Sequence, residues 1–94
     1  MEKAREEEIE LLKCVGNEIR YRILRLLEEN EKYVTEIIES LNEEQTLISH
    51  HLWRLHKCGL VEKEKKGRKS YYKITDPSVH EFIEKVKELS QKNC

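Results

Sequence analysis

Apolar positions recur at helical spacing along most of this chain, and a short region near its middle changes to a strand-like pattern. A first amphipathic helix is predicted over about residues 3–14, and it ends near Gly16. Asn17 can accept a hydrogen bond from a free backbone N–H, so it is expected to cap a second helix over about residues 18–29.

A second pair of helices follows. The first of the pair is short and covers residues 34–41, and Asn42 behind it tolerates the left-handed conformation of a tight turn. The next helix covers about residues 44–57 and ends at Gly59. The apolar positions of this helix lie on one face, at i, i+4 and i+7: Ile48, Leu52 and Leu55.

The pattern then favours strands. Residues 60–66 and 69–75 contain β-favouring side chains and are separated by Gly67-Arg68, which predicts a hairpin. A last helix is predicted over about residues 77–91.

The predicted order is α-α-α-α-β-β-α, a mainly α domain with one β-hairpin. A short helix, a tight turn and a second helix over about residues 34–58 form a helix-turn-helix. The hairpin over about residues 60–75 follows directly and makes the motif winged. We predict a single winged helix-turn-helix domain over residues 1–94.

Charge is distributed unevenly, although the net charge is only -1. Residues 50–73 hold 8 Lys and Arg against 2 acidic residues, whereas residues 1–49 hold 7 against 13. A basic block in an otherwise acidic chain is typical of a phosphate-binding surface, and a solvated hairpin with scattered lysines is the alternative.

Several classes of protein are disfavoured by the sequence. No apolar run is long enough to span a membrane, and the first ten residues lack an apolar secretory core, so a cytoplasmic protein is expected. We find no nucleophile–base pair, phosphate loop or paired carboxylates with catalytic spacing, so an enzyme is not expected and no cofactor is predicted.

The connected pattern of residues 10–76 resembles the ArsR/SmtB family of winged-helix repressors. The residues that carry the resemblance are Ser49-His50-His51-Leu52, Leu55, Gly59-Leu60-Val61, Gly67-Arg68 and Tyr71-Tyr72. The resemblance implies a homodimer that binds double-stranded operator DNA and dimerises through its first and last helices. On those helices, the residues expected at the dimer interface are Ile9, Leu12, Val79, Phe82, Val86 and Leu89.

The metal-sensing chemistry of the family does not carry over. Members that sense metals have a CxC motif near the third helix, where this chain has Lys32-Tyr33-Val34-Thr35-Glu36. A second site of the family lies on the last helix, where Asp76 matches but Pro77, Ser78, Leu89 and Lys92 occupy the rest of the region. We therefore predict no metal site.

The outward face of the fourth helix carries short polar side chains that can read base edges in a major groove. The candidate DNA-binding residues of this helix are Gln45, Thr46, Ser49, His50 and Arg54. An ordinary polar helix face is the alternative, and for Arg54 a surface salt bridge. The hairpin adds four cations that could contact phosphate or a minor groove: Lys65, Lys66, Arg68 and Lys69.

Other side chains near these positions are expected to be structural. His51 should be packed rather than reading bases, and Tyr71 and Tyr72 should anchor the hairpin to the core. Trp53 should be partly exposed, and its role is left open.

The histidines and cysteines do not form a metal motif. His50, His51, His56 and Cys58 have no pair three or four residues apart, as ligands on one helix face require. The three cysteines are widely spaced, so no disulfide framework is expected, and Cys14 and Cys58 should pack as small hydrophobic side chains. Two alternatives stay open: a winged-helix module for protein interaction, and a thiol-responsive regulator that uses Cys14, Cys58 or Cys94.

Overall fold

A computed structural model describes residues 3–93 and has five helices and three strands within that range. The elements are α1 (Glu6–Val15), α2 (Glu18–Leu27), β1 (Lys32–Tyr33), α3 (Val34–Leu41), α4 (Gln45–Lys57), β2 (Val61–Lys66), β3 (Lys69–Ile74) and α5 (Pro77–Asn93). The predicted winged helix-turn-helix architecture is confirmed, and the predicted helices agree with the structure to within a few residues. None of these helices is long and apolar enough to cross a membrane.

The helix ends follow from local chemistry. The Asn17 side chain accepts a hydrogen bond of 3.0 Å from the Arg20 N–H and so caps α2 as predicted. Asn42 has φ of 53°, the left-handed conformation predicted for the turn between α3 and α4. α4 ends at Gly59, whose φ is 81°, and the Leu60 N–H donates back to the Leu55 carbonyl at 3.1 Å. Both turns set the direction in which the next element leaves its helix.

The sheet has three antiparallel strands in the order β1-β3-β2. β2 and β3 form the predicted hairpin, with Val61 opposite Ile74 and Lys66 opposite Lys69. We call this hairpin, residues 61–74, the wing. β1 was not predicted, since two residues are too few to show an alternating pattern. It pairs Tyr33 with Tyr71 and so joins the start of α3 to the wing.

One hydrophobic core lies between the helices and the base of the wing. Its fully buried side chains come from α1, α2, α3, α4, β2 and α5: Cys14, Ile23, Leu24, Ile37, Ile48, Leu52, Leu55, Val61 and Ile83. Val79 is also buried in this core. It also lines an apolar groove on the surface of the protomer, and its assignment to the dimer interface stays a prediction.

Cys14 and Cys58 form a disulfide, which corrects the expectation that the widely spaced cysteines stay unpaired. Both residues do pack as expected, since Cys14 is fully buried in the core and Cys58 packs against it. The two residues are 44 positions apart in sequence, but the ends of α1 and α4 lie side by side and bring their Cα atoms within 6.8 Å. This separation suits a disulfide. Cys94 lies outside the described residues.

Apolar side chains remain exposed on α1 and α5. Leu12 is 61% exposed and Leu89 57%, and Ile9 and Leu11 are exposed as well. Phe82 packs partly against the core from α5. Next to these residues, an apolar groove of about 320 Å³ runs between α1, the end of α4 and the start of α5. A single protomer therefore leaves an apolar face uncovered on this side.

Candidate nucleic-acid interface

α4 presents a polar face to solvent because its apolar face is held in the core. Ile48, Leu52 and Leu55 are fully buried. The opposite side exposes four of the five side chains predicted to contact DNA: Gln45, Thr46, Ser49 and His50. Since the helix is fixed by its buried side, this polar face has a defined orientation.

Arg54 occupies a different position from the other four. Its Nη2 atom lies 3.4 Å from a carboxylate oxygen of Glu10 on α1, and the side chain is partly buried. The structure thus shows the salt bridge that was the alternative for Arg54. A phosphate contact by Arg54 would have to compete with Glu10.

His51 is a packed residue, as predicted, and is only 7% exposed. Its Nδ1 atom lies 3.0 Å from Nη1 of Arg20. Because a guanidinium only donates, His51 Nδ1 must be the acceptor, and the imidazole is neutral. Burial lowers the pKa of His51, and the charge of Arg20 lowers it further.

Arg20 connects three helices through its guanidinium. Nε donates to the Cys14 carbonyl at 2.6 Å and Nη2 to the Lys13 carbonyl at 3.3 Å, so it satisfies carbonyls in the last turn of α1. The same side chain belongs to α2 and contacts His51 of α4. Sequence reasoning missed Arg20, because nothing local marks an arginine that caps a neighbouring helix.

Two of the four cations predicted on the wing, Lys66 and Lys69, contact side chains of this chain. The Lys66 ammonium pairs with Glu31 at 2.8 Å and lies 4.8 Å from the Tyr71 ring centroid. The hydrogen bond to Glu31 raises the pKa of Lys66. The Lys69 ammonium lies 4.1 Å from the centroid of the Tyr33 ring. These contacts fix both ammonium groups near the aromatic residues at the middle of the sheet.

The other two cations, Lys65 and Arg68, are exposed near the turn of the wing. Within residues 3–93, neither makes a side-chain hydrogen bond or ion pair to another residue. Gly67 begins the two-residue turn with φ of 65°, which favours glycine. Their charges are therefore available to a ligand outside the chain.

A groove of about 510 Å³ separates the polar face of α4 from the wing. α4 contributes Gln45, Ser49 and Trp53 to its lining, and the wing contributes cations: Lys63, Arg68 and Lys69. No acidic residue of the described chain lines this groove. The groove therefore combines hydrogen-bonding side chains with positive charge, the combination that nucleic acid requires.

The hairpin tyrosines anchor the wing as predicted. Tyr72 is buried, and Tyr71 packs edge-to-face on Tyr33 with ring centroids 5.5 Å apart. Within residues 3–93, no three His, Cys, Asp or Glu side chains are grouped closely enough to hold a metal ion.

The family model for the bacterial regulatory proteins of the ArsR family matches residues 17–63. This span includes α2, the helix-turn-helix and the start of the wing. The chain is also 43% identical over 85 residues to an uncharacterised HTH-type transcriptional regulator of Methanocaldococcus jannaschii. The aligned region is 89% of this chain and 96% of that protein.

Two solved structures are similar over almost the whole chain. HlyU from Vibrio cholerae, named a transcriptional activator, has a TM-score of 0.83 at 35% identity and covers 95% of this chain and 97% of that one. The homodimeric winged helix-turn-helix DNA-binding domain of Mb0332 from Mycobacterium bovis has a TM-score of 0.87 at 25% identity, with coverage of 99% and 93%. This protein belongs to the ArsR family of DNA-binding, winged helix-turn-helix transcriptional regulators.

Proposed function

We propose that this protein is a homodimeric repressor that recognises a specific double-stranded DNA operator with α4 and holds the DNA backbone with the wing. The observation that carries the proposal is the groove between α4 and the wing. There, exposed hydrogen-bonding side chains of α4 face cationic side chains of the wing. Gln45, Thr46, Ser49 and His50 would read base edges, and Lys65 and Arg68 would contact phosphates.

The uncovered apolar face of α1 and α5 supports the homodimer. Exposed Leu12 and Leu89, and the apolar groove between the two helices, would be buried against the same surface of a second copy. The Mb0332 domain is named homodimeric. Two copies related by a twofold axis would read half-sites about 34 Å apart, one turn of DNA.

A dimer bound across two half-sites would repress by excluding other proteins from the same DNA. The relative HlyU is named an activator, so the direction of regulation needs its own test. Such a regulator acts where the chromosome is, in the cytoplasm. We propose a role in binding rather than catalysis, and one that uses no metal ion or other cofactor.

The test has two stages. The wild-type protein is first used to enrich duplexes from a random library, and the enriched duplex is then titrated beside a scrambled duplex at one salt concentration. We expect Gln45→Ala to lower the preference for the enriched duplex by about 1–3 kcal/mol and to leave binding to the scrambled duplex nearly intact. A reporter gene behind the enriched sequence then gives the direction of regulation.

Glu39→Ala provides a matched control, because Glu39 is an exposed residue of α3 outside the groove. It should bind both duplexes as the wild type does. Failure of the wild type to enrich any duplex would contradict the DNA-binding proposal and favour the alternative of a protein-interaction module.

The disulfide favours a second candidate, in which regulation depends on thiol state. The Cys14–Cys58 bond joins α1, which carries part of the apolar face, to the end of α4. In the reducing cytosol, such bonds are uncommon outside hyperthermophiles and are often redox-sensitive. Two thiols and one hydrogen peroxide would give the disulfide and two water molecules, with the thiols oxidised and the peroxide reduced.

Under this proposal, the disulfide holds α4 in position for DNA, and reduction weakens binding. The enriched duplex is titrated with oxidised protein and with protein reduced by dithiothreitol. The affinity should fall severalfold on reduction in the wild type and should not depend on dithiothreitol in Cys58→Ser. Cys58 is the better site for the change because Cys14 is fully buried. Equal affinities of the oxidised and reduced wild type would contradict a thiol switch.

A further inference from the structure

Trp53 has an exposed indole, although it lies on the helix that buries Ile48, Leu52 and Leu55 in the core. It is 54% exposed. Exposed Leu11 and Leu12 of α1 line a different groove, so the apolar groove between α1 and α5 does not account for Trp53. An exposed aromatic side chain with a free N–H donor is suited to a partner that offers both apolar surface and acceptors.

The indole is held in place by its neighbours on α4. It stacks on the His50 imidazole with ring centroids 6.4 Å apart and an interplanar angle of 22°. The Lys57 ammonium lies 5.1 Å from the indole centroid. Positions i, i+3 and i+7 of a helix share one face, so His50, Trp53 and Lys57 form a single row. We call these three residues the α4 row.

The location of Trp53 points to one kind of partner. It lines the groove between α4 and the wing together with Arg68 and Lys69, and no acidic side chain of residues 3–93 lines that groove. An exposed aromatic ring in a groove lined by cationic side chains matches a polyanion. A protein partner with an acidic surface is the other possibility, and measurements with DNA separate the two.

Helix geometry indicates which part of the DNA would contact the indole of Trp53. At 1.5 Å per residue, Trp53 lies about 12 Å along the axis of α4 from Gln45. The major groove is about 12 Å wide, so an α4 that runs across the groove with Gln45 at the bases would bring Trp53 to the strand that borders the groove. Deoxyribose carbons present apolar surface at that strand, and phosphate oxygens accept hydrogen bonds.

We propose that Trp53 is a DNA-positioning residue whose indole packs on a deoxyribose at the edge of the major groove and donates Nε1–H to a phosphate oxygen. The inference rests on the DNA-binding function proposed above. It adds a contact to the sugar-phosphate backbone, which does not distinguish one base sequence from another. Lys57, next in the α4 row, neutralises a neighbouring phosphate. Trp53 thus strengthens binding to any duplex and fixes the depth at which α4 enters the groove.

The experiment compares Trp53→Phe, Trp53→Ala and Lys57→Ala on the enriched and scrambled duplexes over a range of salt concentrations. Trp53→Phe removes the N–H donor but keeps an aromatic ring at the position, and it should weaken binding to both duplexes about tenfold, since hydrogen bonds to charged groups are among the stronger ones. Trp53→Ala should weaken both further. Because the indole is neutral, neither change should alter the salt dependence, whereas Lys57→Ala should lower the slope by about one.

Fluorescence gives a second measurement that does not depend on a variant. The chain has one tryptophan, so any change of its emission when DNA is added reports on Trp53. We expect a change with both duplexes. Wild-type affinity in Trp53→Ala, or unchanged emission on saturation with DNA, would overturn the inference and point to an acidic protein partner. Loss of preference for the enriched duplex alone would also overturn it, because Trp53 would then read bases. In each of these cases the wild type still binds DNA, so the proposed function stands.

Discussion

At the scale of single residues, Arg20 and His51 form the polar contact that joins α1, α2 and α4. His51 is buried and must be neutral to accept the hydrogen bond from Arg20. The charged groups that act on it are Arg20 of α2 and His50 of α4, and both favour the neutral form. The contact between α2 and α4 through Arg20 therefore depends on the protonation state of one imidazole.

Stability should fall as the pH falls below about 6.5, the usual pKa of histidine. The pKa of His51 is lowered in the folded protein, so the unfolded chain takes up a proton first. The contribution of His51 is complete above about pH 6.5 and is lost as the pH falls through its folded pKa. Urea unfolding between about pH 5 and 7 should show a steeper decline for the wild type than for His51→Gln.

Proton NMR of the imidazole provides the direct check of this prediction. The His51 signal should titrate below about pH 6.5, and Arg20→Gln should move its midpoint upward, because one cause of the lowered pKa has been removed. A midpoint at or above about 6.5 in the wild type would contradict the assignment.

At the scale of elements, the wing is attached to the helix-turn-helix by β1. The Glu36 carboxylate accepts a hydrogen bond of 3.0 Å from the Tyr33 N–H, so the start of α3 and the end of β1 are held together. β1 pairs in turn with β3. Movement of the wing relative to α3 is restricted by these bonds, whereas the turn at Gly67-Arg68 extends into solvent.

The cations of the wing should differ in their contribution to the salt dependence of DNA binding. Lys65 and Arg68 have no partner within residues 3–93, so each is free to displace a counterion from DNA. Lys66 is paired with Glu31 and should contribute less. The double variant Lys65→Ala, Arg68→Ala should have a shallower plot of the logarithm of the DNA-binding constant against the logarithm of the salt concentration. The slope should decrease in magnitude by about 0.9 for each phosphate that the wing no longer neutralises.

Lys66→Ala is the matched control and should change the slope less than the pair does. Glu31→Gln should make the slope steeper, because it releases the Lys66 ammonium for DNA. If the double variant has the wild-type slope, the wing does not contact phosphate.

At the scale of the whole molecule, exposed apolar side chains on α1 and α5 form a face that the protomer leaves uncovered. A domain of this size buries a modest fraction of its surface, so association adds substantially to its stability. Leu12 and Leu89 are exposed on α1 and α5, whereas Val79 and Ile83 on α5 are already buried. The proposed interface is thus formed by the parts of the two helices that the protomer core does not use.

Leu12→Glu and Leu89→Glu should each convert the dimer to a monomer, because a twofold interface places two copies of the new carboxylate at or near the contact. Sedimentation velocity at micromolar protein measures the change. Leu47→Glu is a suitable control, since Leu47 is an exposed leucine on α4 and should leave the dimer intact. A wild-type protein that sediments only as a monomer would contradict the proposed dimer.

The sequence by itself determined the elements whose signals are local. Buried positions at i, i+4 and i+7 place α4, and Asn17, Asn42 and Gly59 mark ends and turns through their own backbone and side-chain chemistry. The basic wing and the polar face of α4 are likewise visible, because charge and helical periodicity need no tertiary information. These signals were enough for the winged helix-turn-helix and for its candidate DNA-facing residues.

Only the tertiary structure decided which distant residues meet. The Cys14–Cys58 bond, the pairing of Arg54 with Glu10 and the contact of Arg20 with His51 each join residues far apart in sequence, by 44, 44 and 31 positions. β1 exists because β3 offers it an edge to pair with, and its two residues carry no pattern of their own. The angle at which α1 and α2 cross α4 sets these contacts, and that angle arises from packing of the whole core rather than from any local stretch of sequence.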